Sequence, residues 1–247
     1  MKFTCHMMLN RTLLGLVLMG MVGCGGAENS LDGVKLDGSA LNSETSSTPR
    51  SESPLAKISS EIRRDENGNI TFVDLRTSRP LTDAMLVHLT GLNKLEYLTM
   101  AHMEVTDAGL IHLKGLTNLK RIWLSGTKVT GEGLVHLKGL PKLQELDLDG
   151  TPITDAGLVH LKGLTNLKKL DLRDTTITDA GLVHLKGLTN LKKLWLEETK
   201  VSDAGLVHLK EMTSLEMLWL HGTQITDAGI AELRTALPDC KVTQKAF

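Results

Sequence analysis

Residues 154–170 read TDAGLVHLKGLTNLKKL, and from Thr178 the same phrase returns almost unchanged. Its chemistry is that of one compact coil. In Leu167-Lys168-Lys169-Leu170-Asp171-Leu172 the last two leucines alternate with polar residues, the period-two pattern of a strand with one buried face. Thr178 is placed to cap a helix N-terminus through its hydroxyl, and Asp179 falls in the first turn, where the helix dipole favours an acid. Ile177 before the cap and Leu182 inside the helix predict a hydrophobic staple. Leu182 and Leu185, three apart, share one face. Gly187 sits where such a helix stops, just after Lys186 at the negative end of the dipole. Each unit is a strand, a turn and a short helix, and alone it cannot bury its leucines.

The coil recurs down the chain. LEYLTM, LKRIWL, LQELDL, LKKLDL, LKKLWL and LEMLWL begin at Leu95, Leu119, Leu143, Leu167, Leu191 and Leu215, each 24 residues after the last. A looser version, ITFVDL, precedes them at Ile70. A fixed period in the twenties, free of insertions, predicts a solenoid whose stacked coils share one core. The pattern L-x-x-L-x-L-x-x-T-x-I-T-D-A-G-L-x-x-L-x-x-L resembles the leucine-rich-repeat family, in a helix-containing bacterial variety, from Ile70 to about Val242. That resemblance implies an α/β solenoid with a curved parallel sheet on the concave side and helices on the convex side. It would hold about seven repeats plus a C-terminal cap. Where the family has Asn after the strand, this chain has Thr127, Thr151, Thr175, Thr199 and Thr223, with Met103 in the first regular unit. Family Asn side chains bond the backbone of neighbouring coils. The resemblance therefore implies that task for the threonines, and a looser first turn at Met103.

The last unit, TDAGIAELRTALPDCKV, departs from the pattern as a terminal cap must. Ile230, Leu233 and Leu237 fall on one helix side, Pro238 stops the helix, and CKV predicts a final short strand with Cys240 as a small buried residue. At the other end, part of Leu55 to Ile62 is expected to cover the open core.

Composition narrows the function classes. Basic and acidic residues number 28 and 29, so the basic excess that marks nucleic-acid binding is missing. Three scattered cysteines, Cys5, Cys24 and Cys240, suggest neither a disulfide framework nor a metal cluster. The stretch TLLGLVLMGMV, from Thr12 to Val22, follows Lys2 and Arg11 and as a helix rises only about 16 Å, too little to span a bilayer core of roughly 30 Å. It reads as a secretory signal over residues 1–23. MVGCGG, with Gly23 before Cys24, resembles the lipobox of bacterial lipoproteins, although Met21 stands where that family usually has Leu. The resemblance implies lipidation of Cys24, membrane anchoring, and a place in the cell envelope facing outside the cytoplasm; ordinary secretion with Cys24 incidental is the alternative. Residues 24–60 are rich in Ser, Gly and Thr and predict a flexible tether, leaving 61–247 as the repeat domain.

Function is expected where exposed letters vary. Residues flanking the inward leucines of each strand share the opposite face of the sheet. Stacking predicts three columns there. The middle one reads Asp74, Thr99, Trp123, Asp147, Asp171, Trp195, Trp219 and takes in all three tryptophans of the chain. At a strand spacing near 4.8 Å, Trp195 and Trp219 become ring neighbours. The expected ligand-binding set on the concave face is Tyr97, Trp123, Asp147, Asp149, Asp171, Arg173, Trp195, Trp219 and His221. The family resemblance favours a protein partner on this face; Trp beside Asp favours a glycan as the alternative, and tryptophans simply packed along the sheet are the plain reading.

His88, His112, His136, His160, His184 and His208 recur every 24 residues. Equivalent side chains on parallel helices roughly 8–10 Å apart do not converge on one ion, so no metal site is expected. Beside a lysine row the imidazoles would gain charge below about pH 6.5. No phosphate loop, nucleophile elbow or metalloprotease motif appears, and no cofactor is implied. Asp147 and Asp171, about 5 Å apart across neighbouring strands, have the separation of a retaining glycosidase pair but no pocket to split their pKa values. A binding protein, not an enzyme, is the expectation.

Overall fold

The computed structural model describes residues 53–77 and 81–244; the signal at 1–23, Cys24 and most of the expected tether lie outside them. Among the described residues nine strands form one sheet in chain order. They are β1 (Glu61–Arg64), β2 (Ile70–Asp74), β3 (Tyr97–Thr99), β4 (Arg121–Trp123), β5 (Glu145–Asp147), β6 (Lys169–Asp171), β7 (Lys193–Trp195), β8 (Met217–Trp219) and β9 (Lys241–Thr243). From β2 to β9 all pairs are parallel, and Val73, Leu98, Ile122, Leu146, Leu170, Leu194, Leu218 and Val242 stand rung over rung without a slip. The 24-residue period is thus the contour of one coil. Short helical turns return the chain behind the sheet: in one coil Asp179–Leu182 is α-helical and Val183–Leu185 continues as a 3-10 turn. The strand leucines and the helical leucines close on one another, so that Leu170, Leu172, Ile177, Leu182 and Leu185 are all fully buried in a single continuous core. No helix among the described residues is long and apolar enough to cross a membrane.

Both ends depart from the regular coil. At the C-terminus Asp227–Ala236 is a longer helix burying Ile230 and Leu233, and β9 closes the sheet with Cys240 buried before it. Burial pushes the Cys240 thiol up to about 11, which makes it inert at neutral pH. At the N-terminus β1 runs antiparallel to β2, the one exception to the all-parallel sheet expected from the repeat. A short helix, Pro54–Ile58, begins behind a Ser53 cap and buries Leu55. The tether expected to reach residue 60 therefore gives way to folded chain by Ser53. The physical reason is local: Leu55, Ile58 and Ile62 pack on the first of the described coils and cover its apolar end. Their burial outweighs the polar composition around them.

Coil junctions use two polar ladders. In the first, an aspartate of one helical turn accepts both the N–H and the hydroxyl of the Thr or Ser opening the next. Asp155 takes Thr178 this way at 2.8 and 2.6 Å, and Asp179 takes Ser202 at 2.7 and 2.6 Å. Asp83, Asp107 and Asp203 repeat the arrangement. Asp179, expected only to favour a helix dipole, thus also bridges coils, while Thr178 does cap its helix as predicted, accepting from Ala180 N–H. In the second ladder Asn118, Asn166 and Asn190 donate to backbone carbonyls one coil back. The threonines assigned that task by resemblance do something else. Thr127, Thr151, Thr175, Thr199 and Thr223 each donate to the carbonyl three residues earlier in their own coil. From this position the hydroxyl satisfies the strand-ending carbonyl of its own coil instead.

Candidate functional site

The sheet face opposite the core gathers all nine predicted residues. The register carries Tyr97, Arg121, Glu145, Lys169, Lys193 and Met217 along one column, and Thr99, Trp123, Asp147, Asp171, Trp195 and Trp219 along the next. Cross-coil backbone bonds hold the third column, including Asp149, Arg173, Glu197 and His221, in step. Within that face the residues form three groups.

Trp195 and Trp219 stack with centroids 4.5 Å apart and planes within 5°. Both are half-buried. They are in direct register, and each ring covers one face of the other. Beside them Met217 lies between Lys193 and Lys241, lysines without a carboxylate partner among the described residues.

The centre is a carboxylate cluster. Arg173 grips Asp171 through Nε (2.9 and 3.0 Å) and Nη2 (2.6 Å), and reaches Asp149 at 3.6 Å. Its hydrogen bond to Asp171 drives the guanidinium pKa still further up. The same grip joins Arg76 to Asp74. There burial works to raise the Asp74 carboxyl, but the bonds and charge of Arg76 outweigh it and hold the group below the usual range. Asp147 has no such arginine. Burial raises its carboxyl, the charges of Asp171 and Asp149 add to the effect, and the backbone N–H of Asp149, donated at 3.0 Å, opposes it. Burial likewise raises Asp149 and Glu197, and Glu197 Oε2 is buried without a partner. Asp147 and Asp171 are register neighbours, as the glycosidase comparison required. Both oxygens of Asp171 are nonetheless taken up by Arg173, so the two are not a free acid–base pair.

This cluster sets a pH dependence. The folded pKa of Asp147 lies above its unfolded value, so ionisation at neutral pH works against the fold, and stability rises as pH falls through the folded pKa. Asp147→Asn removes that opposition while keeping an oxygen for the Asp149 N–H. At pH 7 the variant is expected to melt about 2–4 °C higher, the shift produced by ~1 kcal/mol in a domain of this size. Calorimetry at pH 4 should show the gain shrinking toward zero.

At the N-terminal end two depressions flank Trp123 and Phe72. One, of about 310 Å³, is bounded by Arg76, Thr99, His102, Ser125 and Asp147. The other, of about 300 Å³, lies among Arg63, Tyr97 and Arg121. Arg63 stands 4.4 Å over Phe72 and Arg121 5.3 Å over Tyr97, which stiffens both rings. Glu145 ties Arg121 to Lys169 at 3.2 and 2.8 Å.

Sequence reading overlooked the turn that borders this face. The residue after the third column has positive φ in six successive coils: His102 (60°), Gly126 (64°), Gly150 (62°), Asp174 (51°), Glu198 (55°) and Gly222 (70°). Glycine fits such a turn without strain, whereas other residues cost about 1 kcal/mol or more there. His102, Asp174 and Glu198 accept that cost at the rim, and His102 lines the larger Trp123 depression. The signal was present as three non-glycines sharing a repeat position with three glycines.

The helical histidines stand one per coil, mostly half-buried, and His160 and His208 have Nδ1 buried without a partner. Burial lowers His160, and the charge of Lys138 adds to it. Among the described residues no group of three or more His, Cys, Asp or Glu is placed to hold an ion.

The family described as Leucine Rich repeats (2 copies) matches residues 141–184 and 165–208. The crystal structure of an internalin C2 from Listeria monocytogenes is similar at 29% identity over 70% of each chain, with a TM-score of 0.59. A Listeria monocytogenes internalin, inlF, matches at 20% identity over 74% of this chain and 65% of that one, with a TM-score of 0.45. The PEPR1–AtPEP1 crystal structure matches at 16% identity over 73% and 25%, with a TM-score of 0.49. The search of curated proteins finds no match. Repeat, register and fold together make residues 70–243 a leucine-rich-repeat solenoid.

Proposed function

We propose that this is a bacterial binding protein, held to a membrane by a lipid on Cys24 and facing outside the cytoplasm, whose exposed sheet face takes a protein partner. The observation that carries the reading is the stacked Trp195–Trp219 pair, half-exposed beside Met217 and beside Lys193 and Lys241, which have no carboxylate partner among the described residues. Aromatic anchors ringed by charge are where binding energy concentrates. The strained turns at His102, Asp174 and Glu198 support it, since backbone strain gathers at functional sites. The similarity to a bacterial internalin C2 fits the same class of protein.

What stands beside the stack favours a protein over a glycan. Each indole gives one face to the other and keeps its outer face and edge. Next to them lie Met217, Lys193 and Lys241, a surface suited to an acidic peptide segment with an apolar side chain. Residues 24 to about 52 serve in this reading as the spacer between membrane and repeat domain.

A photo-crosslinking residue at Met217 tests the proposal. Irradiated in native envelopes, it is expected to yield a discrete polypeptide adduct, while the same residue at Val159, behind the sheet, does not. An adduct only from Val159, or only carbohydrate at Met217, would contradict it.

A further inference from the structure

The large hydrophobic side chains exposed among the described residues do not scatter. Val87, Ile111, Val135, Val159, Val183 and Val207, each 40–54% exposed, occupy one position in six successive coils, with Met85 beside the first. They lie in the helical turns behind the sheet, directly before the half-buried histidines. Six half-exposed aliphatic side chains amount to roughly 400 Å² of apolar surface, as much as a monomer's largest patch, and here it is drawn out into a ridge. Three residues on from each, in five of the coils, stands a lysine. Lys186 and Lys210 pair with Glu211 and Glu232, while Lys114, Lys138 and Lys162 have no carboxylate partner among the described residues. The aspartates of these turns, Asp83, Asp107, Asp155, Asp179 and Asp203, are engaged by the next coil's Thr or Ser, which leaves Glu132 as the acid nearest the middle of the ridge.

We infer that this ridge is a second interaction surface, separate from the sheet face, which lies on an anionic phospholipid bilayer. Two observations select that occupant. The first is charge: an apolar line bordered by lysines, three of them without a carboxylate partner among the described residues, complements a negative headgroup layer into which short aliphatic side chains dip. A second copy of the chain would set lysine row against lysine row. The second is monotony. A protein partner reads a distinctive pattern, whereas near-identical side chains at identical places specify no register, and a fluid surface needs none.

The test uses the full chain, so that whatever residues 1–52 contribute is common to wild type and variants. Co-sedimentation is measured with mixed phosphatidylcholine–phosphatidylglycerol vesicles and with pure phosphatidylcholine vesicles. Wild type is expected to partition better onto the anionic vesicles, less so as salt is raised. Val135→Asp/Val159→Asp/Val183→Asp and, separately, Lys138→Glu/Lys162→Glu are expected to reduce that partition about tenfold or more. Circular dichroism reports whether each variant folds, and the two lysines replaced are exposed. Partition equal to wild type in the folded variants would overturn the inference. So would equal binding of wild type to both vesicles, or a variant effect appearing only as lost self-association in sedimentation without lipid.

Discussion

Gly157→Ala is expected to destabilise the solenoid by about 3 kcal/mol, the upper range for overpacking at a site that cannot yield. In other coils the glycine of the Asp-Ala-Gly-Leu phrase lies against the carboxylate of the preceding aspartate: a Cβ at Gly181 would come within 2.4 Å of Asp155 Oδ1, and one at Gly205 within 2.4 Å of Asp179 Oδ1. Between the second and third regular coils that aspartate is replaced by Gly131, at φ 114°. There a Cβ on Gly157 would meet backbone, 2.7 Å from Gly131 Cα and 3.4 Å from its carbonyl carbon. A side chain can turn away, but two backbones can separate only if the coils part. Parted coils disturb the leucine packing on both sides, because each coil is stabilised by its neighbours. Gly139 is the control: nothing lies within 4 Å of its added Cβ, and its φ is not positive. Gly139→Ala is expected to change stability by no more than about 0.5 kcal/mol. Urea denaturation of the two variants decides the matter, and equal midpoints would show that coil spacing is not set by glycine.

The largest effect on binding is expected from Trp195→Ala/Trp219→Ala. Truncating two aromatic anchors at the centre of an interface should lower affinity for the partner crosslinked at Met217 by about 100-fold or more. The indoles are half-exposed and outside the leucine core, so the fold itself should persist. A second readout needs no partner. Two indoles stacked at 4.5 Å couple electronically, and either single alanine variant should abolish the resulting circular dichroism couplet. Loss of the couplet with unchanged affinity would place the partner elsewhere on the molecule.

Much of this was legible in the sequence because a solenoid turns sequence period into spatial period. Once the coil was known to be 24 residues, every register partner followed, and so did the meeting of Trp195 with Trp219. Other features were hidden for identifiable reasons. Asp155 and Thr178 stand 23 residues apart, and nothing in either letter says that the acid reaches forward instead of serving its own helix. Part of Leu55 to Ile62 was expected over the open core, but the Ser-rich letters around it hid the helix at Pro54–Ile58 and the antiparallel strand that carry these aliphatics. The valine ridge was written in the repeated phrase, yet valine beside leucine reads as core until the helical turn shows which of the two faces out.

Repetition of a short-range pattern was enough by itself to determine the class of fold, the coil contour and the columns of the sheet, since each depends only on neighbours at one constant offset. The tertiary structure alone decided where charge and backbone strain settle. Arg173 grips Asp171 and reaches Asp149, which leaves Asp147 without an arginine of its own. That outcome depends on distances of an ångström or so between side chains from different coils, and on how much water each one keeps, neither of which is carried by the order of residues in a chain.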